Sequence, residues 1–254
     1  MGTVKVLDAE GRELTPTTEE KARKLLAQGK ASLVREEPFT IQLPYSVQLP
    51  ERPEPVPPGR GKRILLHVCC APCATYTVNR LRELEFDVTG FWYNPNIHPY
   101  TEHQRRLEAL REYAARISLP LIEEPGYEMV CFLRRVAGRE RFRERCRICY
   151  EMRLRRTAER ARERGFDAFT TTLLISPYQD QDAIREIGGR LAQETGVEFF
   201  FENFRRCWAE RGRISKEHNL YRQQYCGCIY SEWERYDQEG VRVFWAGEKG
   251  CQSP

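Results

Sequence analysis

No apolar run in the 254 residues approaches the roughly 18 that a membrane span requires. The opening stretch, "MGTVKVLDAEGRE", lacks the basic-then-apolar pattern of a secretory signal. These absences argue against membrane and secreted classes, and the expected location is the cytoplasm, with no membrane partner. There is no G-x-G-x-x-G after a strand and no G-x-x-x-x-G-K-[ST], so the common phosphate cradles are missing. The radical-SAM spacing C-x₃-C-x₂-C is missing as well. No internal repeat appears, and the one biased tract is "ERPEPVPPGRGK" (51–62), with four prolines and two glycines. Neither a helix nor a central strand survives that composition, so it reads as a linker with a domain boundary near residue 60.

Ahead of the linker, 1–50 reads as a small β-α-β module. "TVKVLD" and "PFTIQL" alternate as strands, and "TPTTEEKARKLLAQGKA" reads as a helix capped by threonines and stopped at Gly29. After it, 63–254 alternates strand and helix patterns. "RILLHV" (63–68) is a continuous apolar run, as in a buried parallel strand. Helices are expected at 73–84, 101–117, 127–136, 147–164 and 180–195, with further strands at 87–93, 120–124, 167–174 and 197–201. This is an α/β fold: a parallel sheet with helices on both faces. Sites in such sheets form beyond the carboxyl ends of the strands. "CCAPC", "YNPNIHPY" and "ISPYQ" each follow a strand directly, so strand polarity alone brings them to one edge.

What is abundant is cysteine. Ten cysteines in a reducing compartment point to metal or redox chemistry rather than structural disulfides. Seven fall into three groups: Cys69/Cys70/Cys73, Cys146/Cys149 and Cys226/Cys228. Cys131, Cys207 and Cys251 stand alone and read as inert thiols. Adjacent cysteines rarely bridge each other, because the intervening peptide strains the ring. Seven thiols exceed one tetrahedral site. Four can hold a [4Fe–4S] cluster and leave three for a neighbouring metal, while zinc and a metal-free dithiol system remain open. The helix beginning near Pro72 points its N-terminus at "CCAPC", which favours thiolate there.

Residues 134–164 hold thirteen arginines against five glutamates, which suggests an anionic partner; a salt-bridged helix face is the competing reading. "FWYNPNIHPY" and "LYRQQYCGCIY" offer aromatic faces and amides of the kind that read unstacked bases. His67, inside an apolar strand, is as readily a satisfied core histidine as a functional one. His98, in a loop bracketed by prolines, is the better functional candidate.

"LLHVCCAPC", "FWYNPNIHPYTEHQRRLEAL", "ERCRICYEMRL", "TTLLISPYQD" and "NLYRQQYCGCIYSEWER" resemble, in order and over about 63–236, the QueH family of epoxyqueuosine reductases. The resemblance implies a Rossmann-like scaffold related to adenine-nucleotide α-hydrolase and PP-loop proteins. It implies reduction of the epoxide of epoxyqueuosine in tRNA to the alkene with release of water, the last step of queuosine biosynthesis. It further implies a [4Fe–4S] cluster and an additional mononuclear iron on Cys69, Cys70, Cys73, Cys146, Cys149, Cys226 and Cys228, fed by an external electron donor. Cys69 and Cys70 would point to two different metals. Tyr93, His98, Tyr178 and Tyr225 are then the candidate proton donors. Asn94, Asn96, Arg153, Ser176, Gln179, Arg205 and Gln223 are the candidates for holding substrate, and the arginine belt would hold tRNA phosphates. "FENFRR" departs from the family by placing Asn203 where an aspartate is expected. The first 45 residues resemble instead the RRXRR module found ahead of HNH endonucleases, which suggests a grip on nucleic acid. Two rivals stand beside this reading. A thiolase on a PP-loop scaffold would need an SGGxDS-like ATP loop where "CCAPC" lies, and a zinc-containing RNA-binding protein would carry no iron.

Overall fold

The computed structural model describes residues 3–46 and 57–247. The chain divides into two compact units, Met1–Pro55 and Val56–Pro254.

The first unit carries a four-stranded sheet in the order β2-β1-β4-β3. Strands β1 (Thr3–Leu7) and β4 (Thr40–Gln42) pair in parallel on either side of helix α1 (Glu19–Ala27), which is the expected β-α-β core. Val4, Val6, Ala22 and Ile41 are buried between sheet and helix. Two strands were not foreseen. β2 (Glu13–Thr18) takes up the "TPTT" assigned to the helix, so α1 starts later, with Thr18 accepting from the Lys21 N–H. β3 (Ser32–Arg35) is exposed along its whole length and shows no alternation to read. Of the expected linker, 51–56 lies outside the described residues. Residues 57–62 belong to the second unit: the Gly59 N–H donates to Leu84 O, and a Cβ on Gly59 would fall 2.4 Å from the Phe86 ring.

The second unit is built on a five-stranded, wholly parallel sheet, in the order β7-β6-β5-β8-β9. The chain runs β5 (Arg63–His67), α2 (Ala71–Glu83), β6 (Asp87–Trp92), α3 (Tyr100–Arg116) and β7 (Leu121–Glu123). Helices α4 (Met129–Val136) and α5 (Glu144–Glu163) then carry it back across the sheet to β8 (Ala168–Thr171), α6 (Gln181–Thr195) and β9 (Glu198–Phe199). The order therefore reverses beside β5, the position where open α/β sheets form their crevice. Alternation along β5 separates two apolar layers. Leu65 faces Leu154, Ala158, Ile184 and Leu191 on one side, and Ile64 and Leu66 face Val78, Leu81, Leu107 and Leu110 on the other. α6 lies so close to β9 that a Cβ on Gly188 would sit 2.3 Å from the Phe199 ring. The fold class is as expected, with local differences. α5 begins at Glu144, three residues early. β8 is shorter than 167–174 and turns into a 3₁₀ segment at Thr172–Ile175, and β9 is two residues long. Beyond β9, helices α7 (Trp208–Glu217), α8 (Ile229–Tyr236) and α9 (Gln238–Gly247) fall where the sequence showed no clear pattern. Among the described residues no helix is long and apolar enough to cross a membrane.

Candidate metal centre

Sheet register sets the site. His67 pairs with Phe91 on one side and Thr171 on the other, so β5, β6 and β8 end level. The residues that follow each strand consequently meet. Cys69 donates its N–H to Thr172 Oγ1 at 3.0 Å, and the Asn94 amide donates to Val68 O at 2.9 Å. Cys70, extended at φ −172°, is the N-cap of α2, and Pro72 fits the first turn. Cys73 lies one turn in, which returns its sulfur to the same side.

Among the described residues, Cys69, Cys70 and Cys73 form the one group whose ligand atoms all lie within 4.8 Å of one another. The Sγ atoms of Cys69 and Cys70 are 3.8 Å apart. A tetrahedral ion at about 2.3 Å from each thiolate sets sulfurs about 3.8 Å apart, so the spacing suits a single ion. Both vicinal sulfurs turn to this group, contrary to the expected divergence. Thr172 Oγ1 (3.2 Å) approaches the Cys69 sulfur, and the Gln223 amide (2.9 Å) donates to the Cys70 sulfur. The thiols of Cys70 and Cys73 donate to Cys69 and hold it well below the usual thiol range. Burial pushes Cys70 up to about 12, and hydrogen bonding to Cys69 and Cys70, with burial, raises Cys73. Without a cation the group accommodates one thiolate, and a bound metal would expel the remaining protons.

The other four cysteines line one cavity of about 70 Å³ together with Asn96, Arg153, Tyr178 and Gln179. Cys146 and Cys149 come from the first turns of α5. Cys226 and Cys228 come from the loop before α8, where Gly227 adopts φ +148° and a Cβ would press on Asn96 and Arg106 at 3.2–3.4 Å. Burial pushes Cys146 up to about 11 and raises Cys149; the Cys226 thiol is raised too, although the residue as a whole is exposed. Four thiols round one cavity match the ligand number of a [4Fe–4S] cluster.

Two buried arginines link the groups. Arg153 donates to Cys149 Sγ at 3.0 Å, and its charge also acts on Cys226 and Cys69. Arg106, ion-paired to Glu102 at 2.7 Å, donates to the carbonyls of Cys226 and Tyr225 and acts on Cys70. Buried polar atoms stand without partners at the cavity, both side-chain atoms of Asn96 and Nε of Arg145, and elsewhere in the loops at this edge, Oδ1 of Asn94, Nε2 of His98 and Oε1 of Gln223. Such orphans are rare in a closed core and mark a place prepared for a ligand.

A model of the family described as "Epoxyqueuosine reductase QueH" matches residues 64–234. The epoxyqueuosine reductase QueH of Dehalococcoides mccartyi is 46% identical over 175 residues, 68% of this chain and 94% of that protein. Its counterpart from Thermotoga maritima is 40% identical over 182 residues, covering 69% and 93%. The chain belongs to the QueH family. A model of RRXRR proteins matches residues 4–57, in keeping with the N-terminal resemblance. A solved structure, a predicted subunit of tRNA methyltransferase from Methanocaldococcus jannaschii, is similar over 62% of this chain and 88% of its own, at 9% identity and a TM-score of 0.41.

In this QueH chain the candidate proton donors are not equivalent. Tyr93 donates its hydroxyl to Glu128 at 2.7 Å, and Tyr225 donates to His98 O. His98 accepts from the Ile229 N–H on Nδ1, which leaves its proton on the unpartnered Nε2, and burial lowers its pKa. Tyr178 alone of the four lines the cavity, with its ring 74% exposed. Of the substrate candidates, Asn96 and Gln179 line the cavity, with Gln179 held by the Tyr150 hydroxyl at 2.9 Å. Arg205 is spent on the loop carbonyls of Ser176 and Gln179. Ser176 itself accepts from the Tyr178 N–H. Arg153 lines the cavity but directs a donor to Cys149, and Gln223 reaches the three-sulfur group. Asn203 caps the 3₁₀ turn Phe204–Cys207 by accepting from the Arg205 N–H, a role that an amide oxygen fills as a carboxylate would.

Arg106, Thr172 and Tyr150 carry no functional signal in the sequence. Glu102 and Arg106 at i,i+4 look like an ordinary surface pair, yet both are buried. The arginine belt is not one surface. Arg155, Arg156 and Arg160 pair with glutamates, two of them with Glu124. Arg145 is buried against Glu234, and Arg147 pairs with Glu186.

Proposed function

We propose that this chain is an epoxyqueuosine reductase acting on tRNA: it removes the epoxide oxygen of epoxyqueuosine as water, consuming two electrons and two protons and leaving the alkene of queuosine. The observation that carries this is the convergence of seven cysteines from three distant segments into a three-sulfur group and a four-thiol cavity at the carboxyl edge of the sheet. Cys146, Cys149, Cys226 and Cys228 would hold a [4Fe–4S] cluster, and Cys69, Cys70 and Cys73 an additional mononuclear iron. When bound, these groups supply single-electron transfer from an external donor and Lewis acidity toward an oxygen. The protein's own part is positioning and proton supply. Asn96, with both polar atoms unused, orients the modified base at the cavity. Gln179, fixed by Tyr150 and by Arg205 on its carbonyl, keeps the wall in place. Tyr178 is the cavity residue able to donate a proton to the departing oxygen. The cytoplasm, which keeps thiolates reduced, is the fitting compartment.

The test is anaerobic incubation of reconstituted protein with epoxyqueuosine-tRNA and a reductant, followed by nucleoside mass spectrometry. Loss of one oxygen from the nucleoside is the expected result. A colourless, zinc-loaded protein that stays inactive after iron–sulfur reconstitution would refute the reading and favour a zinc protein that binds RNA.

A further inference from the structure

The arginines of the second unit differ in their partners. Three in the later turns of α5 meet carboxylates: Arg155 with Glu151 and Glu194, and Arg156 and Arg160 with Glu124. Arg134, Arg135 and Arg139, by contrast, are exposed and have no carboxylate partner among the described residues. All three line one open groove of about 480 Å³ formed by α4, α5 and α6, together with Arg147, Arg190, Ile148 and Ile187. Five arginines against Glu151 and Glu186 leave the groove lining at net +3. Arg134 and Arg135 occupy the last turn of α4, where cations favour the helix dipole, but that interaction leaves their guanidinium donors unused.

The groove and the cavity share their walls. Cys146 and Cys149 face the cavity from the same two turns of α5 that send Arg147 and Glu151 to the groove. α4 stands between, with Phe132 and Val136 packed on Cys149 and Met152. α4 and α5 therefore contribute residues to the lining of both the groove and the cavity. An enzyme that takes a base out of its stack must also hold the backbone on either side of it.

We infer that this groove holds the phosphate backbone of the tRNA beside the modified nucleotide, with Arg134, Arg135 and Arg139 as the principal contacts. The inference rests on the reductase reading for its choice of nucleic acid. Planar guanidiniums suit phosphate bidentately, and each contact adds to the salt dependence of binding.

The experiment measures binding of tRNA to the full reconstituted chain across a salt series, for the wild type, R134A/R135A/R139A and a charge-matched control, R60A/R116A/R213A. The groove variant should bind on the order of 10²-fold more weakly at low salt, and the slope of log K against log salt should fall by about 2 to 3. The control should match the wild type, and the groove variant should raise KM for epoxyqueuosine-tRNA while kcat at saturation holds. An unchanged slope in the groove variant, or equal losses in both variants, overturns the inference. If the wild type binds tRNA through the groove but leaves epoxyqueuosine intact, the groove stands and the reductase reading falls.

Discussion

Arg153 is the residue whose replacement separates the protein's own stability from its fitness for metal. It is almost completely buried at 2% exposure, and no carboxylate pairs with it among the described residues. Burial opposes its charge, and the sulfurs of Cys149, Cys226 and Cys69 offset that opposition. In R153M, a side chain of comparable length removes the charge and the two hydrogen bonds to Cys149. The metal-free protein loses about 1 kcal/mol for the bond to the Cys149 carbonyl but escapes a buried charge whose replacement by apolar groups is often neutral or stabilising by about 1–4 kcal/mol. The metal-free variant is therefore expected to be as stable as the wild type, or up to about 3 kcal/mol more so. The metal-loaded protein should respond the other way. Unit charges about 4 Å apart at an effective dielectric near 20 interact by about 4 kcal/mol, so loss of the counter-charge to a thiolate-bound cluster weakens retention by up to about 10³-fold. Anaerobic urea denaturation of the metal-free chain and iron release to a competing chelator measure the two arms. A metal-free variant destabilised by more than about 3 kcal/mol that retains iron like the wild type would refute the reasoning and make Arg153 a structural strut.

Cys70→Ala should abolish epoxide reduction and lower iron content, and turnover at the wild-type rate would remove Cys70 from the essential ligands. His67 and His103 are held neutral by burial, at about 3 and about 4. Both folded values lie below the unfolded value near 6.5, so the metal-free protein should be insensitive to these groups above pH 7. It should lose about 2 kcal/mol per histidine between pH 6.5 and 5, as unfolding takes up the protons. His103→Gln should halve that loss in urea titrations, and an unaltered pH dependence would contradict it. Gly188→Ala forces a methyl into the Phe199 ring and should cost about 1–3 kcal/mol, relieved in part by adding Phe199→Leu. Leu154→Ala, in the fully buried layer between α5 and the sheet, should cost about 2–5 kcal/mol by denaturant midpoint.

The elements that could be read from sequence were those with an apolar face to declare. β5 carries Ile64, Leu65 and Leu66 without interruption, and α3 repeats Leu107, Leu110 and Ala114 at helical spacing. β3 declares none, because every residue of it is exposed. The start of α5 was misplaced because Glu144 and Arg145 suggest a solvated approach, whereas Arg145 is buried against Glu234, 89 residues away. The arginine belt misled for the same reason. Glu151, Glu159 and Glu163 lie in the belt itself, but three more of its carboxylates, Glu124, Glu186 and Glu194, come from other elements outside that window of sequence.

The cysteine groups themselves were set by sequence. Strand polarity places "CCAPC" at the carboxyl edge, Pro72 starts a helix there, and seven thiols in three clusters point to metal or redox chemistry. The partition of those thiols belongs to the tertiary structure. The level ends of β5, β6 and β8 bring Thr172 to Cys69, the left-handed Arg143 and the first turns of α5 deliver Cys146 and Cys149, and Gly227 lets the last loop close on Asn96 and Arg106. Side-chain roles follow from the same closure: Tyr225 donates to His98 O, while Tyr178 is left open at the cavity. Local sequence specifies which groups are present and which way each element runs. Only packing fixes which of them share a dielectric and a charge, because those depend on neighbours that the chain supplies from far away.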